Sequence, residues 1–170
     1  MIIILPKCTI RNFKLTDAES LACYANNRNI WLNLRDGFPN PYTVKDAISF
    51  IKTLKKAQNE TIFAICKEDI CIGSIGFHLQ NDVCVKSAEI GYWVAEPFWN
   101  QGIASEVLSA VTQYAFENFE IVRLFAYVFE WNSASAHILE KNDYILEGRL
   151  KKSIFKDNKL IDSMLYAKVI

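Results

Sequence analysis

The sequence has few of the residues that build metal centres or disulfide frameworks. Of its 170 residues only two are histidines, His78 and His137, and its five cysteines are an odd number with no CxxC pair. A structural zinc site normally takes four Cys or His ligands at short, regular spacings. The composition therefore predicts no metal and a reducing compartment, where cysteines stay as thiols.

The sequence also lacks a charge excess and long apolar runs. Nineteen basic residues balance nineteen acidic ones, whereas a domain built mainly to hold nucleic acid usually carries a basic excess. No apolar run approaches membrane-spanning length, and the start MIIILPKC has too few apolar residues for a signal peptide. We therefore expect a soluble, cytoplasmic protein that binds neither nucleic acid nor membrane.

Repeats, low-complexity segments and Pro/Gly/Ser-rich linkers are absent as well. The chain is 51% hydrophobic and 13% aromatic, which is typical of a globular protein. Its length is sufficient for one core and short for two. We therefore expect a single domain over residues 1–170.

Hydrophobic periodicity predicts an α/β (α+β) fold with a mostly antiparallel sheet. The predicted strands are 2–5 with 9–13, 61–66, 70–78, 87–94, 121–129, 144–155 and 162–169. The predicted helices are one after a capping box at Thr16–Glu19, one from Thr43 to about Lys56, one from about Ile103, and one near 133–141.

The stretch EPFWNQGIASEVLSAV, residues 96–111, joins a predicted strand to a predicted helix. The first N–H groups of a helix lack intrahelical partners, and together with the helix dipole they favour an anion. Gly102 allows a ligand to approach the backbone closely, and Ala104 keeps the first turn bare. The alternative is a plain connection with a glycine at positive φ. The stretch is neither a Walker A loop nor a GxGxxG fingerprint.

The longer segment AEIGYWVAEPFWNQGIASEVL resembles the [RQ]xxGx[GA] signature of the GNAT N-acetyltransferase superfamily, here Trp99–Ala104. Trp99 stands where Arg or Gln is usual, and Asn100 stands where many members have Gly. The segments 132–135 and 140–144 resemble the family's NxxS…EKxGF helix, with Asp143 in place of Gly, a position that requires a left-handed turn. With LEGRLKKS at 146–153, the chain resembles the RimJ/RimL-like branch over nearly its whole length.

This resemblance implies the GNAT acyl-CoA N-acyltransferase fold, with the sheet splayed at the fourth and fifth strands and about four flanking helices. It also implies acetyl-CoA as the acetyl donor. The residues that it assigns to cofactor binding are the backbone of Trp93 and Val94 near the thioester, the pyrophosphate loop Asn100, Gln101, Gly102, Ile103 and Ala104, and Asn132 at the last helix.

Two residues are candidates for proton transfer. Glu89 could act as a general base through a water, or could be paired with a neighbouring cation or amide. Ser135 matches the branch's proposed acid or polarising group, or else satisfies the backbone in a helix first turn. Many GNAT enzymes place a Tyr acid where this chain has Leu139.

The acceptor is expected to be a primary amine, on a protein N-terminus or a small molecule. An α-amine of pKa about 7.7 is roughly one-sixth neutral at pH 7, whereas a lysine is neutral in about one molecule in a few thousand. The predicted acceptor pocket consists of Trp31, Asp36, Phe38, Tyr42, His78 and Tyr166, each of which could instead serve packing or the solvated surface. A non-catalytic acyl-CoA-binding regulatory module is the alternative function, and the chain could be a monomer or a homodimer.

Overall fold

The computed structural model describes residues 2–58 and 61–170. The strands are β1 (Ile2–Ile4), β2 (Thr9–Arg11), β3 (Ile62–Lys67), β4 (Ile70–Leu79), β5 (Ser87–Val94), β6 (Arg123–Phe129), β7 (Ile145–Lys156) and β8 (Lys159–Val169). The helices are α1 (Ala18–Ala25), α2 (Arg28–Trp31), α3 (Val44–Lys56), α4 (Ile103–Asn118) and α5 (Ser133–Lys141).

Among these residues the strands hydrogen-bond in the order β1-β2-β3-β4-β5-β6-β8-β7. The pairs β1–β2, β2–β3, β3–β4, β6–β8 and β7–β8 are antiparallel, and β5 pairs with β6 in parallel. The parallel register covers only Ser87–Glu89 opposite Arg123–Phe125. This is the mostly antiparallel α/β sheet that the sequence predicts.

Several predicted elements are confirmed by the local chemistry that defines them. Helix α3 begins at Val44 because the Thr43 hydroxyl accepts from Asp46 N at 3.3 Å, and the Asp46 carboxylate accepts from Thr43 N at 2.8 Å. Strand β5 and helix α5 have the predicted bounds. Asp143 has φ 64°, so the left-handed turn expected there is present.

The predicted capping box at Thr16–Glu19 is wrong. A 3-10 turn covers Leu15–Asp17 and α1 begins at Ala18. The carboxylate of Asp17 accepts from Lys14 N at 2.7 Å, so the acid that satisfies the first amides is Asp17. The predicted first strand region is also two antiparallel strands, joined by a turn in which Leu5 N donates to Cys8 O at 2.9 Å.

Helix α2 was not predicted, and it makes five α-helices among the described residues where about four were expected. It is a single turn, capped by the side-chain oxygen of Asn27, which accepts from Asn29 N and Ile30 N. One turn shows no hydrophobic period, so only this cap marks it. None of the helices in the described ranges is both long and apolar enough to cross a membrane.

The described residues form two compact units. The first extends to Gly76 and includes Tyr92–Val107. Its core lies where α1 and α3 pack together, and its fully buried members include Leu21, Ala47 and Ile51. Burying one Leu or Ile side chain stabilises the folded state by roughly 1.5–3 kcal/mol relative to leaving it exposed.

The second unit comprises Phe77–Gly91 and Leu108–Ile170. Its core holds an aromatic cluster in which Phe77 stands edge-on to Phe119 at 5.0 Å and lies 6.5 Å from Tyr114. The hydroxyls of Thr112 and Tyr144 share a buried hydrogen bond of 2.7 Å. Both polar groups are thereby satisfied in an apolar setting.

A buried ion pair fixes the start of the first unit. The guanidinium of Arg11 donates two 2.8 Å hydrogen bonds to the carboxylate of Asp17, and the two residues are 6% and 4% exposed. The hydrogen bond to Asp17 raises the pKa of Arg11 above its already high value, with burial opposing it. Arg11 Nε also donates to the exposed Asp69 carboxylate at 3.2 Å, but Asp17 is the buried partner, so loss of its charge leaves the guanidinium poorly compensated.

We predict that Asp17→Asn lowers the free energy of unfolding by about 3 kcal/mol, because the buried Arg11 guanidinium then keeps only the solvent-exposed Asp69 carboxylate, 3.2 Å from its Nε, as a counter-charge. Urea denaturation followed by circular dichroism measures the change. The exposed pair Lys86–Glu120, joined at 2.8 Å, supplies the control. Glu120→Gln should change stability by less than about 1 kcal/mol. Equal effects of the two substitutions would contradict this role of the buried pair.

Candidate functional site

The loop between β5 and α4 has the backbone conformation of an anion site. After a 3-10 turn at Glu96–Phe98, Asn100 has φ 60° and Gly102 has φ 77°. Trp99, which precedes Asn100, is extended at φ −66° and ψ 159°, so the two positive-φ residues turn the chain sharply just before the helix begins. The carbonyl of Gly102 accepts from Glu106 N at 3.2 Å, so Gly102 begins the helical hydrogen bonding of α4. The first amides of α4 therefore have no carbonyl one turn earlier.

Asn100, one of the two departures from the signature, is compatible with the backbone conformation at this position. The left-handed conformation at φ 60° favours glycine, and asparagine is among the few other residues that adopt it readily. The replacement therefore keeps the turn.

Trp99, the other departure, turns back towards the strand. Its indole Nε1 donates to Val94 O at 2.6 Å, and the residue is 41% exposed. The side-chain amide of Gln101 donates to Pro97 O at 3.1 Å. The loop is thus closed by its own side chains, and Trp99 brings no charge to it.

The end of β5 lies against β4 at close range. A Cβ placed on Gly73 would stand 2.3 Å from Trp93 O, so only glycine fits opposite this carbonyl. Ala95 N donates to Ile72 O at 2.8 Å and continues the contact. On the other side, β5 extends five residues beyond the register that it shares with β6, to Val94.

The structure brings three predicted site residues together. The ring of Phe38 lies 4.8 Å from that of Tyr42 and 5.8 Å, edge-on, from that of Trp93. Phe38 and Tyr42 of the predicted acceptor pocket therefore pack against Trp93 of the predicted cofactor-binding strand. Tyr42 is 7% exposed, and burial, followed by the nearby Asp46 carboxylate, raises its pKa to about 12. Its hydroxyl stays protonated at neutral pH.

Two other predicted pocket residues have different surroundings. Trp31 is on α2, with the guanidinium of Arg28 5.6 Å from its ring centre, and Asp36 is exposed.

The remaining candidates lie in the second unit. Glu89 is the last β5 residue in the parallel register, opposite Phe125. Asn132 caps α5, because its side-chain oxygen accepts from Ser135 N at 3.2 Å. This cap fixes the backbone of Ser135 in the first turn of α5.

Three further residues in this unit differ in their exposure to solvent. The hydroxyl of Tyr166, a residue only 4% exposed, donates to Glu140 Oε1 at 2.9 Å. His78 is exposed near the end of β4. Leu139, at the position of the missing tyrosine, is fully buried and belongs to the core.

Two features of the first unit have no signal in the sequence. Glu96 accepts from Asn27 Nδ2 at 2.6 Å and from Asn29 Nδ2 at 3.1 Å, and these bonds lower its pKa. They tie α2 to the beginning of the loop. Lys7 extends over Gly102, so that a Cβ there would meet its Nζ at 2.5 Å. Both contacts join residues far apart in the chain, which pattern reading cannot connect.

Within the described residues, no group of three or more His, Cys, Asp or Glu side chains could hold a metal ion. The arrangement at the loop is instead one of amides and a nearby cation, which suits a phosphate group.

Comparison with known proteins identifies the family. A family model described as an acetyltransferase (GNAT) domain matches residues 7–145. The chain belongs to the GNAT acetyltransferase family. It is 32% identical over 164 residues to the N-acetyltransferase YoaA of Bacillus subtilis (strain 168), covering 93% of this chain and 90% of that protein.

Ribosomal-protein acetyltransferases are also similar. The ribosomal-protein-serine acetyltransferase of Escherichia coli (strain K12) is 37% identical over 109 residues, which cover 64% of this chain and 60% of that protein. A solved structure of RimL, a ribosomal L7/L12 alpha-N-protein acetyltransferase in complex with coenzyme A, superposes with a TM-score of 0.87 at 22% identity. It covers 100% of this chain and 98% of that one, and its likeness concerns the fold.

This GNAT chain is therefore an N-acetyltransferase that is similar to ribosomal-protein acetyltransferases, and acetyl-CoA is the acetyl donor of its family. The fold, the family and the class of enzyme expected from the sequence are confirmed.

We predict that Asn100→Gly leaves the dissociation constant of CoA within about twofold of the wild type, whereas Asn100→Val raises it about tenfold. A left-handed backbone costs a β-branched residue roughly 1–2 kcal/mol in conformational free energy, whereas glycine adopts it without this cost. Isothermal titration calorimetry measures both variants, with the melting temperature as a check on folding. Unchanged binding by Asn100→Val would show that the turn at this position does not matter.

Proposed function

We propose that the chain transfers the acetyl group of acetyl-CoA to a primary amine, by direct attack of the amine on the thioester. The left-handed pair Asn100 and Gly102 at the N-terminus of α4 is the observation that carries this proposal. It presents backbone amides with no Cβ at Gly102 in front of them, and the side chain that stands over this glycine is the Lys7 cation, which can pair with a diphosphate.

The cofactor is held mainly through backbone. The amides of residues 100–104 bind the diphosphate, and the backbone of Trp93 and Val94 faces the pantetheine arm and polarises the thioester carbonyl. The close approach of Gly73 to Trp93 O supports this role, because β4 holds the end of β5 rigidly. Rigid N–H donors stabilise a developing oxyanion at little reorganisation cost. Asn132, besides capping α5, contributes to holding CoA.

Proton transfer is assigned to two side chains. Glu89, through a water, takes a proton from the attacking amine, whose nitrogen forms the new bond to the carbonyl carbon. The thioester C–S bond then breaks, the hydroxyl of Ser135 donates its proton to the leaving thiolate and regains one from solvent, and Glu89 releases its proton to solvent. Its placement in the α5 first turn by the Asn132 cap supports a fixed position for this hydroxyl. Leu139 is core, so it leaves the acid role to another residue.

The acceptor that we favour is an N-terminal α-amine of a protein or peptide, with small amines as the other candidates. An α-amine is neutral in roughly one-sixth of molecules at pH 7, so it needs far less help from a base than a lysine does. The E. coli relative named for ribosomal-protein serine supports the same choice. Phe38 and Tyr42, packed on Trp93, form one wall of the acceptor pocket. Trp31 and Asp36, in the same unit, are the other residues that we assign to this wall.

The decisive assay follows thiol release from acetyl-CoA with matched acceptors. These are a peptide with a free N-terminus, the same peptide N-acetylated but carrying a lysine, and a polyamine. We expect the free N-terminus to be the best substrate. Turnover of the lysine peptide at an equal rate would contradict the acceptor assignment.

We predict that Glu89→Gln lowers kcat about 10²-fold and that Ser135→Ala lowers it about tenfold, because each removes a proton-transfer group. The dissociation constant of CoA should change less than about threefold in either variant. Ser133→Ala, an exposed serine in the same turn of α5, is the control and should keep full activity.

Two results would overturn the proposal in different ways. Saturable CoA binding without turnover of any amine would identify a regulatory acyl-CoA-binding module instead. No binding at millimolar acetyl-CoA would remove the donor assignment itself.

A further inference from the structure

The pyrophosphate loop of this chain lacks a cation from its own signature. An arginine at the first signature position would bring a positive charge to the loop, but Trp99 stands there and its indole is bonded to Val94 O. The next charged side chain along the loop is Glu96, which is an anion held by Asn27 and Asn29. A doubly charged diphosphate would then face amides and a helix end alone.

Lys7 supplies a cation from the other end of the first unit. It lies in the turn between β1 and β2, next to Cys8, which is 6% exposed and anchors the turn in the core. A Cβ built on Gly102 would stand 2.5 Å from Lys7 Nζ and 3.8 Å from Lys7 Cε. The ammonium therefore covers the bare face of Gly102, where the left-handed turn leaves the backbone open.

The electrostatics around Cys8 agree with this placement. Burial raises the pKa of the Cys8 thiol to about 11, the Glu106 carboxylate raises it further, and Lys7 lowers it. Lys7, in the turn between β1 and β2, and Glu106, in the first turn of α4, therefore both lie close enough to the Cys8 thiol to change its pKa. Lys67 is the other nearby cation, but its Nζ sits 5.5 Å over the ring of Phe98.

We propose that Lys7 is a diphosphate-binding residue of the acetyl-CoA site and replaces the charge that Trp99 does not provide. The inference rests on the proposed function of the loop. It assigns to Lys7 a contact with the donor's diphosphate and no part in proton transfer. Loss of the charge should therefore raise the KM for acetyl-CoA and leave kcat unchanged.

The test compares ligands of the acetyl-CoA site that differ in their phosphate groups. CoA carries the diphosphate and a 3′-phosphate, 3′-dephospho-CoA keeps only the diphosphate, and acetylpantetheine has neither. We expect Lys7→Met to weaken binding of CoA and of 3′-dephospho-CoA about tenfold each in calorimetric titrations, the size of one partly solvated charge contact. The kcat/KM for acetylpantetheine should stay as in the wild type.

Two variants complete the design. Lys7→Arg keeps the charge and should bind CoA within about threefold of the wild type. Lys52→Met removes a charge from the exposed face of α3 and should bind CoA as the wild type does. Raising the salt concentration should weaken CoA binding less steeply in Lys7→Met than in the wild type, since one screened contact is gone.

Each other outcome overturns the inference. Wild-type affinity in Lys7→Met would show that the ammonium makes no contact with the donor. A loss for CoA alone would place Lys7 at the 3′-phosphate, and an equal loss for acetylpantetheine would give it a structural role. Failure of the wild-type chain to bind CoA at all would instead refute the proposed function, so the two failures are distinguishable.

Discussion

Backbone amides hold an anion only where no side chain stands in front of them. In this chain the loop before α4 meets that constraint through two left-handed residues, Asn100 and Gly102, and through a helix that starts directly behind them. A Cβ at Gly102 would be strained by its φ of 77° and would also displace Lys7. The proposed diphosphate site therefore depends on this turn between β5 and α4.

The surrounding structure holds the turn in place by contacts that are each modest. Trp99 joins the loop to Val94, Gln101 joins it to Pro97, and Glu96 joins its beginning to α2. A single exposed hydrogen bond contributes only about 0.5–1.5 kcal/mol, but together they restrict the loop without placing a side chain on its open face. The acceptor side uses aromatic packing instead, with Phe38 set between Tyr42 and Trp93.

Much of the fold could be predicted because its elements are long and periodic. Strand β5, helix α5 and the start of α3 follow from alternation, helical spacing and a cap that the sequence spells out. The errors fall where tertiary contacts override local pattern. The Asp17 carboxylate binds Arg11, and α1 begins at Ala18, after the predicted capping box has started. The single turn of α2 depends on a cap from Asn27 and shows no hydrophobic stripe.

The candidate site divides in the same way. The loop could be predicted because its signature is contiguous, and the departures at Asn100 and Asp143 are explained by the positive φ of both residues. Lys7 could not be predicted, since nothing local marks a lysine in a strand turn as the neighbour of a distant glycine.

The position of Trp99 has a consequence for fluorescence. Its indole N–H is bonded to the last carbonyl of β5 at 2.6 Å, and it borders the loop. Because the chain has three other tryptophans, the part of its fluorescence change on CoA titration that is lost in Trp99→Phe is an intrinsic reporter of loop occupancy that needs no added dye.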